Sequence, residues 1–187
     1  MYTAKAILIE KEEYFFNKLY WVLKARSLNE LYLLQNPAME CLLVDEDEWV
    51  CSDGHRMHIA NRYMPRKGNR FLPEGLLRPL LVTKQRIILQ YPPTEWKYPN
   101  YKQVIPSVEG RIGYQLIRKT NPVSGLFSQV VKALKPSYGL DYKFFKGVIL
   151  GSGEEWNFFA PENVTNPVVL ESESKDKLAL VMPIDMP

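Results

Sequence analysis

Four side chains that could bind zinc lie in one short stretch of this chain: Cys41, Cys51, His55 and His58. Their spacing matches neither a Cys-x2-Cys pair nor a His-x3-His pair. On a strand, His55 and His58 would also point to opposite faces, because side chains alternate. Zinc binding is one interpretation, and two buried thiols with ordinary histidines is the other. We predict no metal site and no cofactor.

No other combination of residues predicts catalysis. The sequence contains neither the Gly-x-Ser-x-Gly of a nucleophile elbow nor the Gly-x4-Gly-Lys-Ser/Thr of a phosphate loop. The carboxylates of Glu154 and Glu155 are adjacent in sequence, and we expect both to be solvated. We therefore predict that the chain is not an enzyme, although an active site built from distant residues would escape such an inspection.

Composition sets the broad class. The chain has 187 residues, of which 46% are hydrophobic, enough for one large domain or two small ones. With only two cysteines, a disulfide framework is not expected. No stretch approaches the roughly 18 uncharged apolar residues of a membrane span, and the N-terminus lacks a long apolar signal region. We predict a cytoplasmic protein with no membrane partner.

Positive charge is concentrated in the middle of the chain. The net charge is only +3, but the segment from Arg56 to Lys146 holds 17 Lys and Arg residues against four acids. The two flanks hold the other seven basic residues and 17 acids. A basic middle between acidic ends fits a protein with one DNA-facing surface. It fits a solvated basic face with no partner equally well.

The apolar pattern indicates helices interspersed with antiparallel strands, an α+β fold. Helices are predicted at Glu10–Arg26, Pro73–Leu81, Val123–Lys135 and Leu140–Leu150. Strands are predicted at Thr3–Ile9, Met39–Val44, Glu48–Ser52, His55–Ala60, Gln85–Tyr91, Arg111–Arg118, Glu155–Ala160, Pro167–Glu171 and Lys177–Pro183. Asp53-Gly54 is a strong turn signal between two of these strands.

Three short motifs stand out against this background. They are Ser52-Asp53-Gly54-His55-Arg56-Met57-His58, Tyr98-Pro99-Asn100-Tyr101-Lys102-Gln103-Val104-Ile105-Pro106 and Leu178-Ala179-Leu180-Val181-Met182-Pro183-Ile184. In this order they resemble segments of the bacterial DNA polymerase III β subunit, the β sliding clamp. The resemblance implies a DNA-clamp-like fold of antiparallel sheets with a few helices on one face.

The resemblance also implies a peptide-binding pocket. In β clamps these segments line a hydrophobic slot that receives short motifs of polymerases and repair proteins. Carried over, Gly54, His55, Arg56 and Met57 would form one wall, Pro106 would lie beneath, and Val181, Met182 and Pro183 would form the opposite wall. Plain core packing would also explain the apolar members of this set. An apolar pocket edged by an arginine could hold a leucine or phenylalanine anchor of the partner.

DNA is the second partner that the resemblance implies. Lys132, Lys135, Lys143 and Lys146 are predicted on exposed helix faces, where lysines can meet phosphates without reading bases. Ordinary solubility would explain each lysine alone.

Two modules are expected. Residues 1–107 resemble the middle clamp domain, and residues 108–187 resemble a shortened end of the last domain; the two could also form one compact unit. The chain is shorter than a full clamp, so it would oligomerise, dock on another clamp, or keep the fold without a ring. The alternative function is a clamp-fold interaction or regulatory protein that does not encircle DNA.

Overall fold

The structure is a computed structural model that describes residues 6–62, 72–92, 96–109, 111–116, 122–134, 138–152, 154–163 and 165–185. For residues 151, 152 and 185 only the backbone is described. The chain divides into two compact units, Met1–Pro99 and Asn100–Pro187, here called the N-terminal and C-terminal units. This division lies somewhat before the predicted module boundary, and the match of each module to a particular clamp domain stays a prediction.

The N-terminal unit is a sheet with helices. Its strands are β1 (Ile7–Glu10), β2 (Leu42–Val44), β3 (Glu48–Ser52), β4 (Arg56–Asn61), β5 (Gly75–Val82) and β6 (Arg86–Gln90). They pair antiparallel in the order β1-β6-β5-β2-β3-β4. Its helices are α1 (Phe16–Leu23) and α2 (Glu30–Gln35), followed by a 3-10 turn at Pro37–Glu40.

Helix α1 covers the β3–β4 end of this sheet. Leu19, Val22 and Leu23 are fully buried, as the apolar stripe of the sequence predicts. The Trp21 ring stacks on the His58 ring of β4 with centroids 4.3 Å apart. These contacts fix β4, and with it the turn that precedes β4, against α1.

Two predicted helices of this unit differ from the observed elements. The predicted helix Glu10–Arg26 is only Phe16–Leu23. Glu10 ends strand β1, and its backbone N–H donates to the Glu13 carboxylate in the turn that follows. The prediction of a helix at Pro73–Leu81 is wrong, because this segment is strand β5. A register shift between Pro79 and Leu81 absorbs the proline, which has no N–H to donate.

The C-terminal unit also combines strands with two helices, but only four of its described strands pair in one sheet. Its strands are β7 (Gly113–Leu116), β8 (Tyr138–Gly139), β9 (Trp156–Phe159), β10 (Val168–Ser172), β11 (Lys177–Val181) and β12 (Ile184–Asp185). Four pair antiparallel in the order β11-β10-β9-β7, and β12 pairs with β8. The helices are α3 (Val123–Ala133) and α4 (Tyr142–Ser152), with a 3-10 turn at Tyr101–Val104.

Aromatic rings join the two helices of this unit. The Phe127 ring of α3 lies 5.0 Å from the Tyr142 ring and 5.4 Å from the Phe145 ring of α4, measured between centroids. Phe145, Val148 and Ile149 are fully buried, and α4 contacts β11. All strand pairings described above are antiparallel and helices accompany each sheet, which confirms the predicted α+β class.

Candidate functional site

The Asp-Gly-His-Arg segment forms the tight turn between β3 and β4. Ser52 pairs with Met57, and the Asp53 N–H donates to the Arg56 carbonyl at 3.2 Å. Gly54 and His55 are therefore the two central residues. Gly54 has φ = +88°, which suits the two-residue hairpin turn that takes glycine at its first central position. The sequence signal for a turn is confirmed here.

Side chains of the flanking residues hold the turn. Asp53 Oδ1 accepts hydrogen bonds from the N–H groups of His55 (3.0 Å) and Arg56 (2.9 Å). The Ser52 hydroxyl donates to the Arg56 carbonyl at 2.9 Å and accepts from the Gly54 N–H at 3.1 Å. These bonds satisfy backbone groups that the turn would otherwise leave exposed, and they rigidify it.

Arg56 links this turn to helix α1. Its Nε donates to Asp53 Oδ2 at 3.0 Å, and its Nη2 donates to the Lys24 carbonyl at 2.6 Å, just past the last residue of α1. A guanidinium at a helix C-terminus is favoured by the helix dipole. Only about 15% of the Arg56 side chain is exposed. Arg56 thus holds the predicted pocket wall in place as well as contributing its own surface.

The remaining residues of this predicted wall differ in exposure. Gly54 and His55 are exposed, whereas Met57 is 8% exposed. A Cβ built on Gly54 would lie only 2.9 Å from the Tyr32 hydroxyl of α2. Tyr32 is a neighbour of the turn that sequence inspection missed, and no local pattern connects the two segments.

The other predicted pocket residues lie in the C-terminal unit. Val181 is the last residue of β11, is fully buried and pairs with Val168. Met182 and Pro183 follow in the short link to β12, and both are half-buried. Pro106 is half-buried and lies beyond the 3-10 turn Tyr101–Val104. The four residues from Gly54 to Met57 thus lie in or beside one turn. The three residues from Val181 to Pro183 lie at the end of one strand.

An ion pair holds the beginning of β11. Lys177 is only 7% exposed, and its ammonium donates to the Glu154 carboxylate. Burial alone would raise the pKa of Glu154, but hydrogen bonds from Lys177 and Ser174 outweigh it and lower that pKa. The pair anchors β11 at the end away from Met182.

Three of the four predicted DNA-contact lysines lie on the paired helices of the C-terminal unit. Lys132 is exposed in the last turn of α3, and Lys143 and Lys146 are exposed on α4. Lys143 and Lys146 are three residues apart and so share a helix face. Lys135 lies outside the described residues.

Three of the four candidate zinc ligands, Cys41, Cys51 and His58, are fully buried in packing, whereas His55 is exposed. His58 is fully buried, its Nδ1 is 2.8 Å from the Trp21 carbonyl, and burial lowers its pKa to about 3. Burial raises the pKa of Cys41 to about 12 and raises that of Cys51 as well. Both thiols are therefore protonated at neutral pH and act as small apolar side chains. Within the described part of the chain, no group of three or more His, Cys, Asp or Glu side chains could hold a metal ion.

Comparison with solved structures identifies the architecture. The sliding clamp of Bacillus subtilis matches 99% of this chain and 65% of its own, with a TM-score of 0.60 and 11% identity. The beta subunit of Thermotoga maritima matches 100% of this chain and 67% of its own, with a TM-score of 0.61 and 15% identity. The fold is that of the bacterial sliding clamps. The resemblance expected from the three motifs is confirmed for the fold.

The C. crescentus beta sliding clamp, solved with PEG bound in a region suggested to tether the beta-motif, matches with a TM-score of 0.62 and 13% identity. The chain spans about two thirds of the length of these clamps. No protein-family model matches the chain, and no curated protein sequence does. In the described parts, no helix is both long and apolar enough to span a membrane.

Proposed function

We propose that this chain is a non-enzymatic scaffold of the sliding-clamp type that acts in DNA replication or repair. The observation that carries the proposal is the likeness of nearly the whole chain to bacterial sliding clamps. The locked turn at Gly54 and the apolar strand end at Val181 add local support, since both occupy clamp-like motifs. The work of such a protein is to hold partners and not to transform a substrate.

The first proposed activity is capture of clamp-binding peptides from polymerases or repair proteins. The binding residues are the eight predicted from the motifs: Gly54, His55, Arg56, Met57, Pro106, Val181, Met182 and Pro183. Met182 and Pro183 are half-buried, so apolar surface remains for a leucine or phenylalanine anchor. The locked turn offers a wall that needs little ordering on binding, which lowers the entropic cost of association.

Titration of a fluorescently labelled clamp-binding peptide tests this activity. Met182→Ala removes a half-buried apolar side chain and should weaken binding by roughly tenfold, about 1.4 kcal/mol. Val104→Ala is a matched control, because Val104 is an exposed apolar residue of the same unit outside the proposed pocket. Absence of binding by the wild type at high micromolar protein concentration would remove the pocket.

The second proposed activity is contact with duplex DNA without base specificity. Lys132, Lys143 and Lys146 are exposed on α3 and α4, which pack together through Phe127. Lys135 is proposed as a fourth contact from the sequence alone. Such lysines release counterions from phosphates, so affinity should be low and should fall steeply as salt rises.

Duplex binding measured over a salt series tests this second activity. The double variant Lys143→Gln/Lys146→Gln should reduce the slope of log affinity against log salt by about two, one for each phosphate contact. Lys11→Gln is the control, because Lys11 is an exposed cation of the other unit. Binding that does not depend on salt, or none in dilute buffer, would contradict the DNA activity. Peptide binding without DNA binding would favour the alternative, a clamp-fold regulatory protein.

Oligomerisation belongs to the same proposal. A chain that spans about two thirds of a clamp would need several copies to surround DNA. Light scattering gives the solution mass directly. A strictly monomeric protein would exclude encirclement of DNA by this chain alone.

A further inference from the structure

Three of the four most exposed large apolar side chains among the described residues lie on and beside one short helix. Leu28, Leu31 and Leu34 are 72%, 78% and 81% exposed, and no residue of α2 is buried. Asn29 caps the helix by accepting a hydrogen bond from the Tyr32 N–H at 3.3 Å. A capped helix that presents leucines to solvent in place of polar residues is a typical sign of a contact surface.

The helix that carries Leu31 and Leu34 also contacts the turn of the proposed peptide site. Tyr32 belongs to the same helix, α2. Its hydroxyl lies so close to Gly54 that a Cβ added there would come within 2.9 Å of the hydroxyl oxygen. Leu31 is the immediate neighbour of Tyr32, and Leu34 follows on the same side three residues later. A ligand that contacts the turn at Gly54 can therefore extend along Tyr32 onto the leucines.

The size of the face argues for a peptide and against a second copy of the chain. Three leucine side chains present a few hundred Å² at most, whereas a stable protein–protein interface buries about 800 Å² on each partner. A short apolar segment laid against a helix needs no more than this area. Glu30, exposed in the first turn of α2, adds a negative charge that a basic residue of such a segment could meet.

We propose that Leu28, Leu31 and Leu34 form a second docking surface, which takes a leucine-containing basic segment flanking the motif of the same partner peptide. This inference rests on the proposed peptide-binding function. Burial of two or three leucines, less the cost of ordering the segment, should raise the affinity of an extended peptide about tenfold or more over that of the bare motif.

The test compares three labelled peptides by fluorescence anisotropy. One is a bare clamp-binding peptide, the second carries Leu- and Lys-containing segments on both sides, and the third has Ser in place of those leucines. On the wild type, only the second peptide should gain about tenfold in affinity. Leu31→Ser/Leu34→Ser should abolish this gain and leave the bare peptide unaffected. Leu80→Ser, a 52% exposed leucine on β5, should retain the gain.

The outcomes separate this surface from the pocket. Met182→Ala should weaken the bare peptide while the gain from the extension persists. If the bare peptide fails to bind but the extended one binds through Leu31 and Leu34, the pocket is wrong and the second surface stands. A gain that survives Leu31→Ser/Leu34→Ser, or no binding of any peptide, overturns the surface. A wild-type dimer that this double variant converts to monomer in light scattering also overturns it, because a second copy would then cover the leucines.

Discussion

The two segments proposed to hold a partner peptide are constrained in different ways. In the N-terminal unit the polar lock lies inside the segment itself, since Asp53 and Arg56 bond each other and the backbone of the turn. In the C-terminal unit the lock is the Glu154–Lys177 pair at the start of β11, away from Met182 at its other end. One segment is thus a fixed turn, and the other is an apolar strand end whose ion pair lies at the far end of β11.

This difference suggests a division of tasks. A turn whose hydrogen bonds are satisfied internally keeps its shape whether or not a ligand is present. A half-buried methionine followed by proline can adapt, because the methionine side chain is unbranched and flexible. We expect the turn to set the position of a bound peptide and Met182 to adjust to its anchor.

Acid should destabilise the N-terminal unit first and most. Burial lowers the pKa of His58 from 6.5 to about 3. Below pH 6.5 the unfolded chain binds a proton that the folded unit does not, so stability falls with pH until about pH 3. The loss should be about 2 kcal/mol between pH 7 and pH 5, and about 3 kcal/mol by pH 4. Hydrogen exchange followed by mass spectrometry, which assigns the loss to each unit, is the measurement.

The other histidine is the control for this effect. His55→Gln removes the other histidine of the chain, which is exposed in the turn, and so isolates the contribution of His58. His58→Gln should flatten the pH dependence between pH 7 and pH 5, although the unfolding free energy at neutral pH will also fall because the stacking on Trp21 is lost. Equal acid sensitivity of the two units in this range would mean that His58 is not the group that titrates.

Breaking the ion pair at β11 should have the next largest effect, in the other unit. Glu154→Gln leaves the nearly buried ammonium of Lys177 without its counter-charge. The expected loss is about 2 kcal/mol of unfolding free energy, discounted from the value for fully buried pairs because Glu154 is partly exposed. Because its folded pKa is lowered, the wild-type contribution is present above the ordinary pKa of 4.5 and is lost as pH falls below it.

Glu173→Gln provides the matched control for this prediction. Glu173 is an exposed carboxylate in the turn before β11, so its neutralisation should change stability by less than about 0.5 kcal/mol. Urea unfolding at pH 7 measures both variants. A loss of similar size in both would show that net charge, and not the Lys177 contact, is responsible.

The sequence could predict those elements of the fold whose own residues carry a clear turn, strand or helix pattern. The β3–β4 hairpin was predictable because the Asp53-Gly54 turn signal lies between two short apolar segments, and α3 because its apolar residues repeat with helical spacing. Strand β5 was not, since a run of apolar residues broken by Pro79 fits a short helix as well as a bulged strand. Helix α2, with no buried residue, has no amphipathic pattern that would reveal it.

The features of the candidate site likewise differ in whether the sequence could predict them. The turn at Gly54 follows from residue types, because aspartate, glycine and serine each favour a turn for a separate reason. Its bracing does not, because Arg56 reaches the Lys24 carbonyl and Tyr32 reaches Gly54 only once the chain has folded. The pairing of Lys177 with Glu154 likewise depends on the alignment of β9, β10 and β11. Sequence motifs located the proposed contacts, and tertiary structure supplied what holds them.

Replacement of Gly54 separates two contributions to the fixed turn. Gly54→Ala should cost about 2 kcal/mol, in part because φ = +88° strains a residue with a Cβ and in part because that Cβ meets the Tyr32 hydroxyl. Gly75→Ala is the matched control, since Gly75 has φ = +111° but no atom within 4 Å of an added Cβ. The difference between the two losses measures the Tyr32 contact. Gly54→Ala/Tyr32→Phe should recover that difference; equal losses for Gly54→Ala and Gly75→Ala would mean that Tyr32 does not press on the turn.

Arg56→Lys should have the smallest effect on stability and the most informative one on binding. A lysine keeps the charge beside Asp53 but cannot donate to Asp53 and the Lys24 carbonyl with one planar fork, so we expect a loss of about 1 kcal/mol in unfolding free energy. If the turn acts by fixed shape, peptide affinity should fall mainly through a slower association rate, because part of the free protein would no longer present the bound conformation. A faster dissociation rate alone, measured by stopped-flow fluorescence, would show that the contact of Arg56 with the peptide outweighs its bracing of the turn, and would remove the distinction between a fixed and an adaptable side.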